Sequence, residues 1–92
     1  MTARYHKNQN VIDRVETNGD CYLFDPVSAR FRRLNPIGTQ IWAALDEHCE
    51  VGPVADAVLK RCRGAVREKV YADVEAFLER LAAAQVVLKS DA

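Results

Sequence analysis

The stretch Arg30-Phe31-Arg32-Arg33-Leu34-Asn35-Pro36-Ile37-Gly38, with Ile41-Trp42 after it, is where the chain changes its backbone period. Arg30 to Leu34 reads as a strand bounded by turn residues. Asn35 is then a helix N-cap, and Pro36 occupies the first helical position, where a missing N–H costs nothing. Beyond it, Ile37, Ile41 and Leu45 recur every four residues with Trp42 beside them, which is one apolar helical stripe. The junction therefore divides a β half from an α half.

Working backwards, two more strand-like runs appear. Val11 to Glu16 is apolar-rich and β-branched, and Asp20-Cys21-Tyr22-Leu23-Phe24 follows it. Asn18-Gly19 between them predicts a two-residue type I′ hairpin, because both central residues of that turn need positive φ. Asp25-Pro26-Val27-Ser28 has proline where a type I turn wants it. The three runs make an antiparallel meander, and the Arg30–Leu34 run, coming last, is expected at its edge.

Working forwards, Gly52-Pro53 is expected to break the chain and restart it. Val54, Val58 and Cys62, flanked by Leu59, mark a second helix, and Gly64 is a plausible stop. A third, longer helix covers about Val66 to Ala84. Val66, Val70, Val74, Phe77 and Leu81 share one face, and Tyr71 and Leu78 flank it. That apolar arc is wider than a single core contact needs. Val86-Val87-Leu88 is either a short strand or a tail packed on the core. The expected fold class is α+β, winged helix-turn-helix-like: a three-stranded antiparallel sheet followed by three helices. Residues 1–10 are expected as a loose tail, or in part as an extension of the first strand, 11–88 as one domain and 89–92 as a second tail.

Composition restricts function. The chain has 92 residues, room for one modest core. Its 13 basic and 13 acidic side chains cancel. That argues against nucleic acid, which rewards a basic excess. The third helix sets Arg67, Lys69 and Arg80 against Glu68, Asp73, Glu75 and Glu79, a face that phosphates would not favour. Lys60, Arg61 and Arg63 read as charge complementing a helix C-terminus. Cys21, Cys49 and Cys62 are odd in number and lack a CxxC, so free thiols and a cytoplasmic compartment are expected. Adjacent His48-Cys49 has poor chelate spacing, and no metal is expected. Neither a phosphate-binding loop nor a nucleophile–base arrangement is recognisable, so no cofactor and no enzymatic activity are expected. No apolar run approaches the length of a membrane span, and the first ten residues lack the apolar core of a signal peptide.

What remains is a groove for a peptide. An edge strand exposes N–H and C=O groups that another chain can complete. Its basic residues either protect against aggregation or attract an acidic partner. Two rivals share the architecture: a helix-turn-helix DNA-binding regulator, and a structural module whose edges pair as a homodimer.

Asp25 to Leu88 resembles the PqqD-like family, whose fold is the RiPP recognition element. The run from Phe31 to Gly38 with Ile41-Trp42 is similar to that family's aromatic-x-x-Leu-Asn-x-x-Gly and Ile-Trp junction. Val51 to Leu59 is similar to its second helix, and Asp73-Val74-Glu75-Ala76-Phe77-Leu78 with Leu81 to its third. Gln85 stands where the family usually has glycine, which predicts a different turn there. The resemblance implies a non-catalytic chaperone that binds the leader segment of a ribosomally made precursor peptide as an added strand. It would then present the core segment to a modifying enzyme, such as a radical SAM maturase, a leader peptidase or a cyclase. The expected peptide-binding residues are Arg30, Phe31, Arg32, Arg33 and Leu34 on the edge strand and Tyr71, Val74 and Leu78 on the third helix. Phe31 is expected to anchor the strand, and Arg32 and Arg33 to choose among leaders by charge.

Overall fold

A computed structural model describes residues 2–91. Eight elements follow in order: β1 (Ala3–Lys7), β2 (Ile12–Val15), β3 (Cys21–Asp25), β4 (Arg30–Leu34), α1 (Pro36–Ala44), α2 (Val51–Leu59), α3 (Arg67–Ala83) and β5 (Val87–Asp91). The architecture is α+β, with the expected antiparallel meander in the order β2-β3-β4. β1 and β5 form a second, two-stranded antiparallel sheet.

The second sheet corrects the tail reading of both ends. Polar Ala3–Lys7 pairs along its whole length with Val87–Asp91, while Met1 and Ala92 lie outside the described residues. The sequence conceals this because only Tyr5 of β1 is buried, against Val86 and Val87 in the core. Tyr5 donates its hydroxyl to Glu79 of α3, which also pairs with Lys89 of β5 at 2.9 Å. Lys7 lies 4.5 Å above the Trp42 ring and bonds Asp46 at 2.7 Å, while Trp42 donates its indole N–H to Asp13 of β2 at 2.7 Å. The N-terminal strand thus ties both sheets to α1.

Three local expectations change. The β2–β3 loop is Thr17-Asn18-Gly19, with Gly19 alone at positive φ. Gly19 N–H donates to Glu16 C=O and Glu16 N–H to Asp20 C=O, a type I turn closed by a glycine bulge. The extra residue aims Asp20 inward. Gly52 and Pro53 do not break the chain but lie in the first turn of α2, capped at Glu50. First-turn N–H groups have no helical partner, so proline is harmless there.

The turn after α3 keeps its glycine geometry without glycine. Gln85 adopts φ 61°, with its N–H on Ala82 C=O and Val86 N–H on Leu81 C=O. These two bonds make a Schellman cap. Asn8 holds the turn from outside, its side chain donating to Gln85 C=O at 2.9 Å. A side chain in this region costs about 1–2 kcal/mol. Gln85→Gly should therefore stabilise the protein, by about 1 kcal/mol after the entropy of the glycine chain is subtracted, as a higher urea midpoint at unchanged slope.

The Tyr5 hydroxyl, and then Lys89, hold the Glu79 carboxyl below the usual carboxylate range. The resulting stabilisation is present above the ordinary glutamate value and disappears as pH falls through Glu79's own lower value. Tyr5→Phe should flatten the acid limb of the stability–pH curve as pH falls below the ordinary glutamate range, measured by denaturant midpoints, relative to the native chain.

Candidate functional site

The direction of the β4 backbone follows from the hairpin bonds. The Glu16–Asp20 bond places a hydrogen-bonded pair at the loop, and such pairs alternate along antiparallel strands. Through the β2–β3 register, Tyr22 and Phe24 then aim their backbone groups at β2, and Cys21, Leu23 and Asp25 at β4. On β4 the partners of those three are Leu34, Arg32 and Arg30. Phe31 and Arg33 consequently direct their N–H and C=O away from the sheet. Neither makes a backbone bond outside it among the described residues.

Side chains alternate the other way. Leu34, Arg32 and Arg30 share the face that carries buried Cys21 and Leu23, the face turned toward the core. Phe31 and Arg33 point to the opposite face. Phe31 is 73% exposed and stacks on Phe24 at 5.0 Å between ring centroids. Phe31 thus lies on the outer face of the meander beside Phe24, while its backbone belongs to the open edge. Arg33 donates to Asp20 at 2.8 Å, and Asp20 is 5% exposed. That carboxylate is nearly buried, while the Arg33 side chain stays 61% exposed. Arg30 and Arg32 have no ion pair or side-chain hydrogen bond among the described residues. Leu34 is core.

The helix wall also differs from expectation. Val74 and Leu78 are 1% and 0% exposed, packed between α3 and the rest of the core. Tyr71 is 38% exposed, but its ring lies beside Gly52 of α2, on the flank away from β4. The residues facing β4 are Asp73, Phe77, Arg80 and Ala84. Asp73, Phe77 and Arg80 line a cleft of about 270 Å³ with Arg33, Leu34, Asn35, Ile37, Gly38 and Ile41. Ala84 lines a second, of about 310 Å³, with Leu23, Arg30, Arg32 and Val86. This stripe sits one residue, about 100°, round the helix from the expected one. Its 4-3-4 spacing is visible in the sequence, but its mixed polarity disguised it.

The junction sets the width of the groove. Asn35 accepts the Gly38 N–H at 2.8 Å, as an N-cap does for the third helical residue. A Cβ on Gly38 would meet the tip of the Phe77 ring at 3.0 Å and Leu34 Cβ at 3.3 Å. Asparagine thus starts the helix, and the absence of a side chain on Gly38 lets Phe77 of α3 approach β4. Cys21 lies in the core, where burial pushes its thiol pKa up and keeps it protonated. Among the described residues no helix is long and apolar enough to cross a membrane, and no group of three or more His, Cys, Asp or Glu could hold a metal ion.

A winged-helix-like domain with an open strand edge beside its last helix is the architecture of a RiPP recognition element. The chain belongs to the PqqD family: the family described as Coenzyme PQQ synthesis protein D matches residues 20–87. Among solved structures the chain is similar to TbiB1 in complex with the TbiA(beta) leader peptide, with a TM-score of 0.81 over 90% of this chain and 94% of that one. Sequence identity there is 20%, so the likeness concerns the fold. No curated protein matches in sequence.

The Gly38–Phe77 contact can be tested by a double-mutant cycle. Gly38→Ala gains about 1 kcal/mol of helix propensity but overpacks against the ring by about 1–3 kcal/mol. In the native background the change should be neutral to destabilising. With Phe77→Ala already present it should stabilise by about 1 kcal/mol, because only the propensity gain survives. Equal effects in both backgrounds, by urea denaturation, would show that the two residues do not touch.

Proposed function

We propose that this protein binds the leader segment of a ribosomally made precursor peptide as an added strand on β4 and presents the rest of that peptide to a modifying enzyme. The observation that carries the reading is the outward pair, Phe31 and Arg33, on an open edge beside the cleft lined by Phe77. The leader-peptide complex of a structurally similar protein supports it, as does membership of the PqqD family. The role is that of a scaffold: main-chain bonds supply affinity, and pockets for alternate side chains supply register.

Magnitudes are compatible with a reversible carrier. Four edge bonds contribute about 1 kcal/mol each. Two apolar side chains placed in the clefts add about 1.5–3 kcal/mol each. Ordering a flexible leader costs about 2–5 kcal/mol or more. The remainder corresponds to weak to about micromolar affinity, which suits a peptide that must be handed on. Sheet and helix stand pre-formed, so the protein's own ordering cost is small.

Titrating isotope-labelled protein with the leader of a precursor encoded beside it should shift the amides of Phe31, Arg33 and Phe77 first. Phe31→Pro removes an outward donor without breaking a β3–β4 bond, so the fold should persist while leader affinity falls about five- to tenfold. Phe31→Ala keeps that donor and should bind nearly as the native chain does. Shifts confined to other surfaces, or equal loss in both variants, would refute the placement on β4.

A further inference from the structure

The meander has a second face, turned away from the core. There the register sets Ile12, Phe24 and Phe31 side by side, one from each strand, with Arg14, Tyr22 and Arg33 in the next row. Ile12 is 60% exposed, Phe31 more so, Tyr22 is exposed and Phe24 is half-buried. These four apolar side chains line one cleft of about 320 Å³ together with Asp13, Arg14 and Glu16. Val27 and Leu88 are also exposed, but they lie in the β3–β4 turn and on β5.

The charges on this face are already engaged. Arg14 meets Glu16 at 3.3 Å, Arg33 meets Asp20 at 2.8 Å, and Asp13 accepts the Trp42 indole N–H at 2.7 Å. Arg30 and Arg32, without an ion pair among the described residues, alternate to the core side. Anionic headgroups and phosphates therefore find little to bind here. What the face offers is apolar, about 300–400 Å² of exposed surface over its four side chains. A stable homodimer buries about 800 Å² on each partner, about two-thirds of it apolar. A second copy seated on this face alone falls short of that.

Continuity with the β4 edge points to a different occupant. Phe31 sends its N–H and C=O to the edge and its side chain to this face. A strand added at the edge alternates likewise, so the peptide residue paired with Phe31 extends the Ile12–Phe24–Phe31 row by one side chain. The face thus grows toward interface size when a peptide is in place. A protein docked on it touches carrier and peptide together and leaves the edge free.

We infer that the outer face of the meander, centred on the Ile12–Phe24–Phe31 row, docks the enzyme that receives the peptide, that the enzyme meets it with an apolar side chain, and that the bound leader completes the surface. The leader's share rests on the strand-addition reading above; the apolar row stands without it.

The test measures binding of the peptide-modifying enzyme encoded beside this chain. Biolayer interferometry compares the native protein with Ile12→Arg, Phe31→Ala and Leu88→Arg, with and without saturating leader. Ile12→Arg and Phe31→Ala should each weaken enzyme binding about tenfold or more. Leu88→Arg, on the other sheet, should bind as the native chain does. Leader should tighten enzyme binding about five- to tenfold, and enzyme should tighten leader binding by the same factor. Ile12→Arg, two strands from the edge, should keep native leader affinity, with circular dichroism showing that all three variants fold. Equal enzyme affinity in all variants, no enzyme binding in either state, or joint loss of leader and enzyme in Ile12→Arg would overturn the docking face. So would a dimer in sedimentation velocity that Ile12→Arg dissociates, because the occupant would then be a second copy. If Ile12→Arg releases the enzyme while leader leaves the Phe31 and Arg33 amides unshifted, strand addition fails, and the leader's share of this surface with it.

Discussion

One hydrogen bond organises this protein: Asn35 accepting the Gly38 N–H at the end of β4. It stops the strand at Leu34 and starts α1 in a fixed direction. The same three residues then admit α3. Gly38 leaves the space into which Phe77 presses, and Leu34 closes that space from the strand side. A helix brought this near the strand walls a cleft of about 270 Å³. The distance between the two walls is thus determined at the point where the backbone changes period.

A second constraint keeps the edge open without exposing the core. The β1–β5 sheet closes the opposite side of the molecule, with Tyr5, Val86 and Val87 sealed inside. Lys7, Asp13, Trp42 and Asp46 link that sheet to the meander and to α1. Asn8 clamps the left-handed turn that carries the chain from α3 into β5. The N-terminal residues, polar as they are, hold α3 in place from behind while its other side faces β4.

Most of the fold was legible in the residues. The three meander strands, the capped first helix and the long third helix each follow from local signals: alternation, Asn-Pro capping and the 3.6-residue period. The edge position of β4 was legible too, because a strand that ends a meander has a neighbour on one side. The β1 strand was not. Its residues alternate too weakly, and its partner lies eighty or more residues away. The Gln85 turn misled for a related reason. Its left-handed conformation is held by the Schellman bonds and by distant Asn8, which let a side chain occupy a glycine position.

The site divides along the same line. By itself the sequence determined that a basic edge strand and a long amphipathic helix exist, and the motif where that strand meets α1 carried the family resemblance. Only the tertiary structure decided which stripe of the helix faces the cleft beside β4. Val74 and Leu78 went to the core, and Asp73, Phe77, Arg80 and Ala84 to the wall. It also decided that Arg33 pairs with Asp20 while Arg32 has no ion pair among the described residues. The physical reason is that period is a local property, set by steric preference over a few residues. Burial and charge pairing depend on partners brought together by the whole chain, and neighbouring residues of identical type can end on opposite faces of one strand.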